Sequence, residues 1–144
     1  MVIVLDTNVI VSSVINKHGP SAKIRQLWKE HELFDVAVSN PILEEIERVM
    51  GKKHIQKRHG WSKEGIHRFV KNLREKCYVV SPTKRVRVVK NDPTDNMFFE
   101  CALEAQARFI ISGNEKHVLK IPQYKGIRVV SPRDFVENII ENAA

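Results

Sequence analysis

The stretch Val2-Ile3-Val4-Leu5-Asp6-Thr7-Asn8-Val9-Ile10 decides how the rest of the chain reads. Val2–Leu5 is a short unbroken apolar run, which suits a central strand buried on both faces. Asp6 follows at its carboxyl end. From residue 9 the pattern becomes helical, and 9–15 read as a first helix ended by Gly19-Pro20.

Outward from that unit the alternation continues. Residues 21–31 read as a second helix, with Ile24, Leu27 and Trp28 on one face, and 34–38 as a strand. Asn40-Pro41 opens a helix, with Asn40 as N-cap and Pro41 at the first helical position, and Gly51 closes it. Residues 62–76 form another helix, with Ile66, Phe69, Val70 and Leu73 inward. The runs 77–80 and 86–89 are rich in β-branched residues and read as strands. Asp92-Pro93-Thr94-Asp95 starts a helix running to about Ala107. Residues 108–112 are a strand ending in Ser112-Gly113, Ile127–Val130 is the last strand, and Ser131-Pro132 caps a final helix. Such alternation implies βαβ units around a mainly parallel sheet. The expected fold is α/β, in one domain spanning 1–144.

Twenty-four Lys and Arg against 17 Asp and Glu leave a net charge of +7, which favours a polyanionic partner such as RNA, DNA or an acidic protein. A chain 42% hydrophobic and 28% charged is ordinary for a globular protein. No apolar run approaches the roughly 18–20 residues of a membrane span, and the N-terminus lacks a signal peptide's basic start. The expectation is a cytoplasmic protein without membrane contact. Cys77 and Cys101 show no metal-ligand spacing and read as small core residues.

In open parallel sheets, ligands bind beyond the carboxyl ends of the strands. Asp6 ends the first strand, Asp92 and Asp95 follow the 86–89 run, and Asn114 and Glu115 follow the 108–112 strand. These residues lie far apart in sequence but are placed to converge. Several carboxylates gathered together call for a hard cation such as Mg²⁺ or Mn²⁺. At about 100° per residue, Ile42, Leu43, Ile46, Val49 and Met50 define a buried stripe. Glu44 then faces solvent, while Glu45 and Glu47 sit on its two edges. On the next acidic helix, Asp95 shares the inner face of Phe98, Phe99, Ala102 and Ala105, whereas Glu100 and Glu104 point away. Each acid singly also reads as a helix cap or a solvated edge residue.

These segments together resemble the PIN-domain family. The opening resembles its apolar strand, Asp-Thr-Asn and helix. Pro41-Ile-Leu-Glu-Glu45-Ile resembles its second acidic motif, Asp92-Pro-Thr-Asp95-Asn96 with Glu100-Cys-Ala102 its third, and Phe109-Ile-Ile-Ser112-Gly113 its last strand. The order and spacing cover nearly the whole chain and lie nearest the small prokaryotic VapC-type toxins.

The resemblance implies a three-layer α/β/α fold and a Mg²⁺- or Mn²⁺-dependent endoribonuclease, the toxin of a toxin–antitoxin pair. Asp6, Glu45 and Asp95 would form its catalytic, metal-binding core, with Asp92 a further ligand. Asn8, Ser112 and Asn114 would orient ligands or substrate. One departure stands out. Where the family has Gly-Asp after the last strand, this chain has Gly113-Asn114-Glu115, so Glu115 would have to replace the missing carboxylate. The resemblance also implies an antitoxin partner and a homodimer.

The basic stretch Arg48, Lys52, Lys53, Lys57 and Arg58 suits an RNA backbone or an acidic partner, or reads as a solvated face. Lys84, Arg85, Arg87 and Lys90 form a second basic segment. Trp61 suits stacking on a base or packing at a helix start. His117 is the histidine nearest the acids and reads as a surface residue. Two other readings compete. One is a degenerate PIN fold that binds RNA or protein without cutting, which Asn114 suggests. The other is a phosphatase-like or receiver-like domain, in which the Glu45 helix would have no role.

Overall fold

The computed structural model describes residues 1–140. Its sheet has six strands in the order β3-β2-β1-β4-β6-β5. These are β1 (Val2–Leu5), β2 (Asp35–Ser39), β3 (Tyr78–Val80), β4 (Phe109–Ile111), β5 (Gln123–Tyr124) and β6 (Ile127–Val130). All neighbours are parallel except the short edge strand β5, which pairs antiparallel with β6. The helices α1 (Thr7–Ile15), α2 (Pro20–His31), α3 (Asn40–Met50), α4 (Lys53–His59), α5 (Lys63–Lys76), α6 (Asn96–Ala105) and α7 (Pro132–Asp134) complete a three-layer α/β/α arrangement. After α7 the chain continues as π-helix through Phe135–Ile140.

The apolar run of β1 becomes the centre of the sheet, with Ile3 and Val4 wholly buried. Its register places Leu5 beside Ile111 of β4 and Val4 beside Ala37 of β2. Helix α6 lies across β1, β2, β3 and β4, while α1 packs on α2 and α3, and α3 on α5. Phe135 meets Phe34 and Phe109 edge-to-face at 5.4 and 5.8 Å, so the last described helix closes the core against β4. Cys77 and Cys101 are free and buried, and burial pushes both thiols up to about 12.

Several expectations change. Residues 86–89 are not a strand. Val88 and Val89 donate their N–H groups to Asn96 Oδ1 at 3.0 and 2.8 Å, and Val86 donates to Glu100 Oε2 at 3.0 Å. Side chains of α6 thus take the hydrogen bonds a neighbouring strand would have taken. This also corrects the view of Glu100 as an outward residue, while Glu104 is exposed as expected. Glu100 is nearly buried, and Glu104 accepts from both the N–H and the hydroxyl of Thr83. The N-cap of α3 is Ser39, with Asn40 already helical. Helix α6 follows a 3-10 turn at Pro93–Asp95 and stops where Gln106 turns left-handed. Helix α4 and strand β5 were not anticipated. Among the described residues, no helix is long and apolar enough to cross a membrane.

Candidate active site

The strand order reverses at β1 and β4, which lie side by side while the chain between them winds out to β3. Open α/β sheets bind ligands at such a point. Asp6 leaves β1 there, anchored by its N–H to Ile111 O at 3.0 Å. It caps α1 through Oδ1, which accepts from Val9 N–H at 2.9 Å. Its other oxygen, Oδ2, accepts a short hydrogen bond from the Ser112 hydroxyl at the end of β4. The capping role and a place in the acidic group are therefore compatible. Asp6 is 2% exposed. Burial pushes its carboxyl up to about 6, although hydrogen bonds from Ser112 and from the N–H groups of Val9, Asn8 and Gly113 pull the other way.

Asp95 ends the 3-10 turn and is partly buried. Its carboxyl is also raised to about 6, first by burial, then by the charges of Asp92 and Asp6, with Glu45 adding to them and His117 opposing. Asp95 therefore feels three other carboxylates, Asp92 from its own turn and Asp6 and Glu45 from two other segments. Asn114 reaches the same centre. Its side-chain amide donates to Asp95 Oδ2 at 3.0 Å, its own N–H donates to Ser112 Oγ at 3.0 Å, and its Oδ1 accepts from His117 N–H at 3.0 Å. A chain of contacts thus joins Asp6, Ser112, Asn114 and Asp95.

Of the two glutamates that periodicity left open on α3, Glu45 is the one whose charge is felt at Asp95. Glu47 turns toward His67 of α5, at 3.1 Å. Glu45 also pairs with Arg48 at 2.6 Å. Asp92 accepts from the Thr94 hydroxyl at 2.6 Å. Asn8 and Glu115 are exposed, and Asn8 reaches Asp6 through its backbone N–H. Thr7 adds a group that sequence reasoning left without a role. Its hydroxyl is buried beside Asp6 with no hydrogen-bond partner, and only its position right after the strand-end acid could have flagged it.

The donor set is oxygen throughout and carries more negative charge than the one nearby Arg48 offsets. That chemistry fits a hard divalent cation. The acids do not stand as a closed cage, since among the described residues no three His, Cys, Asp or Glu are drawn together tightly enough to hold an ion as they are. Each is held back by its own neighbour: Asp6 by Ser112, Glu45 by Arg48 and Asp95 by Asn114.

The basic stretch falls partly on α4, whose residues include none that is buried. Lys52, Lys53, Lys57 and Arg58 are exposed and make no ion pair among the described residues. Trp61 packs between His59 and Phe69, each ring 5.3 Å away, which fits the packing reading of this residue.

An α/β/α fold with acids converging beyond the carboxyl ends of β1 and β4 defines the class. The PIN-domain model matches residues 2–116, and the chain belongs to that family. It is similar to an uncharacterized protein of Methanocaldococcus jannaschii, 29% identical over 143 residues, covering 94% of this chain and 89% of that protein. Two solved structures are similar in fold. One is VapBC-1 from nontypeable Haemophilus influenzae, with TM-score 0.61, 18% identity, and 92% and 99% of the two chains covered. The other is VapBC2 from Rickettsia felis bound to a DNA fragment from its promoter, with TM-score 0.58, 16% identity, and 91% and 98% covered. At these identities the likeness is one of fold.

Proposed function

We propose that this chain is a Mg²⁺- or Mn²⁺-dependent endoribonuclease and the toxin of a toxin–antitoxin pair. The observation that carries the reading is the meeting of Asp6, Glu45, Asp92 and Asp95 around one centre, where burial first and then the charges of the other three raise the Asp95 carboxyl. PIN-family membership and the fold shared with VapBC proteins support it. Asp6, Glu45 and Asp95 would hold the metal, with Asp92 as a further ligand and Glu115 at the exposed margin. Bound there, a divalent cation would offset phosphate charge and make a water more acidic.

The protein's own groups do the positioning. Ser112 fixes the orientation of Asp6, and Asn114 that of Asp95. Asn8 lends its N–H to Asp6. Arg48 steadies Glu45 and, with Lys52, Lys53, Lys57 and Arg58, offers cations to an RNA backbone. The same exposed basic surface suits an acidic antitoxin segment, and the family resemblance suggests a homodimer.

The test is cleavage of labelled single-stranded and structured RNAs in Mg²⁺, in Mn²⁺ and in EDTA, by wild type, Asp6→Asn and Asp95→Asn. Metal-dependent cutting lost in both variants is expected. Folded wild type that binds RNA but cuts nothing in either metal would sink the reading. It would favour a binding module, for which the Asn114 amide already occupying Asp95 is the specific observation.

A further inference from the structure

A cavity of about 220 Å³ opens at the carboxyl end of the sheet, between the ends of β2 and β3. Ser39, Asn40, Val80, Arg85, Met97 and Glu100 are among its lining residues. Ser39 is 1% exposed, and its hydroxyl is buried with no hydrogen-bond partner. A buried hydroxyl left unpaired is costly, and native proteins rarely keep one without a use.

The surroundings favour an anion. Helix α3 starts at this cavity, and no side chain caps it. Helix geometry leaves the N–H groups of Asn40 and Ile42 without an acceptor in the helix, and Pro41 has none to offer. The positive end of the helix dipole adds to them. Arg85 lines the cavity, and Arg74 donates to Asn40 Oδ1 at 2.8 Å, so a second guanidinium stands at the helix start. The acid in the lining, Glu100, has both oxygens engaged, one by Val86 N–H at 3.0 Å and one by Arg85 at 3.4 Å. With Arg85 and Arg74 beside this one acid, the local charge stays positive.

We propose that this cavity, built from the Ser39 hydroxyl, the uncapped start of α3 and Arg85, is a subsite for a backbone phosphate of the RNA beside the bond that is cut. Its assignment to RNA rests on the nuclease reading. Asn40 and Glu45 are five residues apart on α3, about 7–8 Å along the helix axis, and Met97 follows Asp95 by two residues. A single strand crossing the acidic centre can therefore set a neighbouring phosphate in the cavity. Such a contact would fix the register of the strand and carry no base preference.

The test is a titration of inorganic phosphate into isotope-labelled, EDTA-treated protein, read at the backbone amides of Asn40 and Ile42. It is followed by binding of a short single-stranded RNA over a range of salt. Saturable shifts at both amides are expected. Phosphate binding should weaken about tenfold in Arg85→Gln and about threefold in Ser39→Ala. The RNA salt slope should fall by about 0.7 in Arg85→Gln. Thermal melts establish that both variants are folded. Shifts that do not saturate, or that are the same in folded Arg85→Gln, overturn the site. Phosphate binding weakened in Arg85→Gln with an unchanged RNA salt slope overturns the assignment to RNA and leaves a free-anion site. Neither readout uses metal or cleavage, so binding here without any cutting refutes only the nuclease reading.

Discussion

Replacing Asp6 by asparagine should stabilise the metal-free protein above about pH 6, where the wild-type carboxylate is charged. Asp6 is 2% exposed, and burial raises its carboxyl from 3.8 to about 6. The folded protein therefore holds this proton more tightly than the unfolded chain does. The stability that protonated Asp6 contributes is fully present below 3.8 and is lost as pH rises through 6. At about 1.4 kcal/mol per pH unit, the cost at neutral pH is roughly 3 kcal/mol. Asparagine removes the charge and keeps an oxygen for Val9 N–H. It weakens the bond from Ser112, because a carboxylate accepts more strongly than an amide. A net gain of about 1–2 kcal/mol remains, or roughly 3–6 °C in Tm for a chain of this size. The assay is paired thermal melts of wild type and Asp6→Asn in EDTA, from about pH 4 to about pH 8. The gap should open as pH rises. A variant less stable than wild type at the upper end, or a gap that does not change with pH, would refute the account of Asp6 as a destabilised carboxylate.

Other perturbations test other parts of the structure. Asn114→Asp removes the amide that donates to Asp95 and adds a fifth carboxylate. It should lower Tm in EDTA, and it should move the Mn²⁺ concentration that restores Tm down by about tenfold. Asn96→Ala leaves the N–H groups of Val88 and Val89 without an acceptor, and should cost about 2–4 kcal/mol in urea unfolding. Cys77 and Cys101, with thiols pushed up to about 12, should resist alkylation in the native protein. They should react only once urea unfolds it.

Periodicity made some elements legible. Strand β1 is unbroken apolar sequence, and α3 and α5 carry clean inward stripes, so each declares its own buried face. Helix α4 carries no such stripe. None of its residues is buried, so only its C-terminal Gly60, at φ 72°, marks a boundary. Residues 86–89 misled for the opposite reason. Their β-branched side chains favour a strand, but Asn96 and Glu100 had already claimed their N–H groups.

By itself the sequence determined most of the βα order, the buried stripes of α3 and α5 and the strand-end place of Asp6, because those follow from spacing along the chain; Asp92 and Asp95 stand at a 3-10 turn and not at the end of a strand. It also left Glu45 and Glu47 equal, since a helix alone has two edges. Only the tertiary structure separates them, by packing α5 and its His67 against the Glu47 edge and leaving the charge of Glu45 within reach of Asp95. The same holds for the bond from Ser112 to Asp6 and the bond from Asn114 to Asp95. Their partners come from different strands and loops, and only the pairing of β1 with β4 makes them neighbours. The raised carboxyls follow from that convergence, because burial and mutual repulsion exist only once the chain has folded.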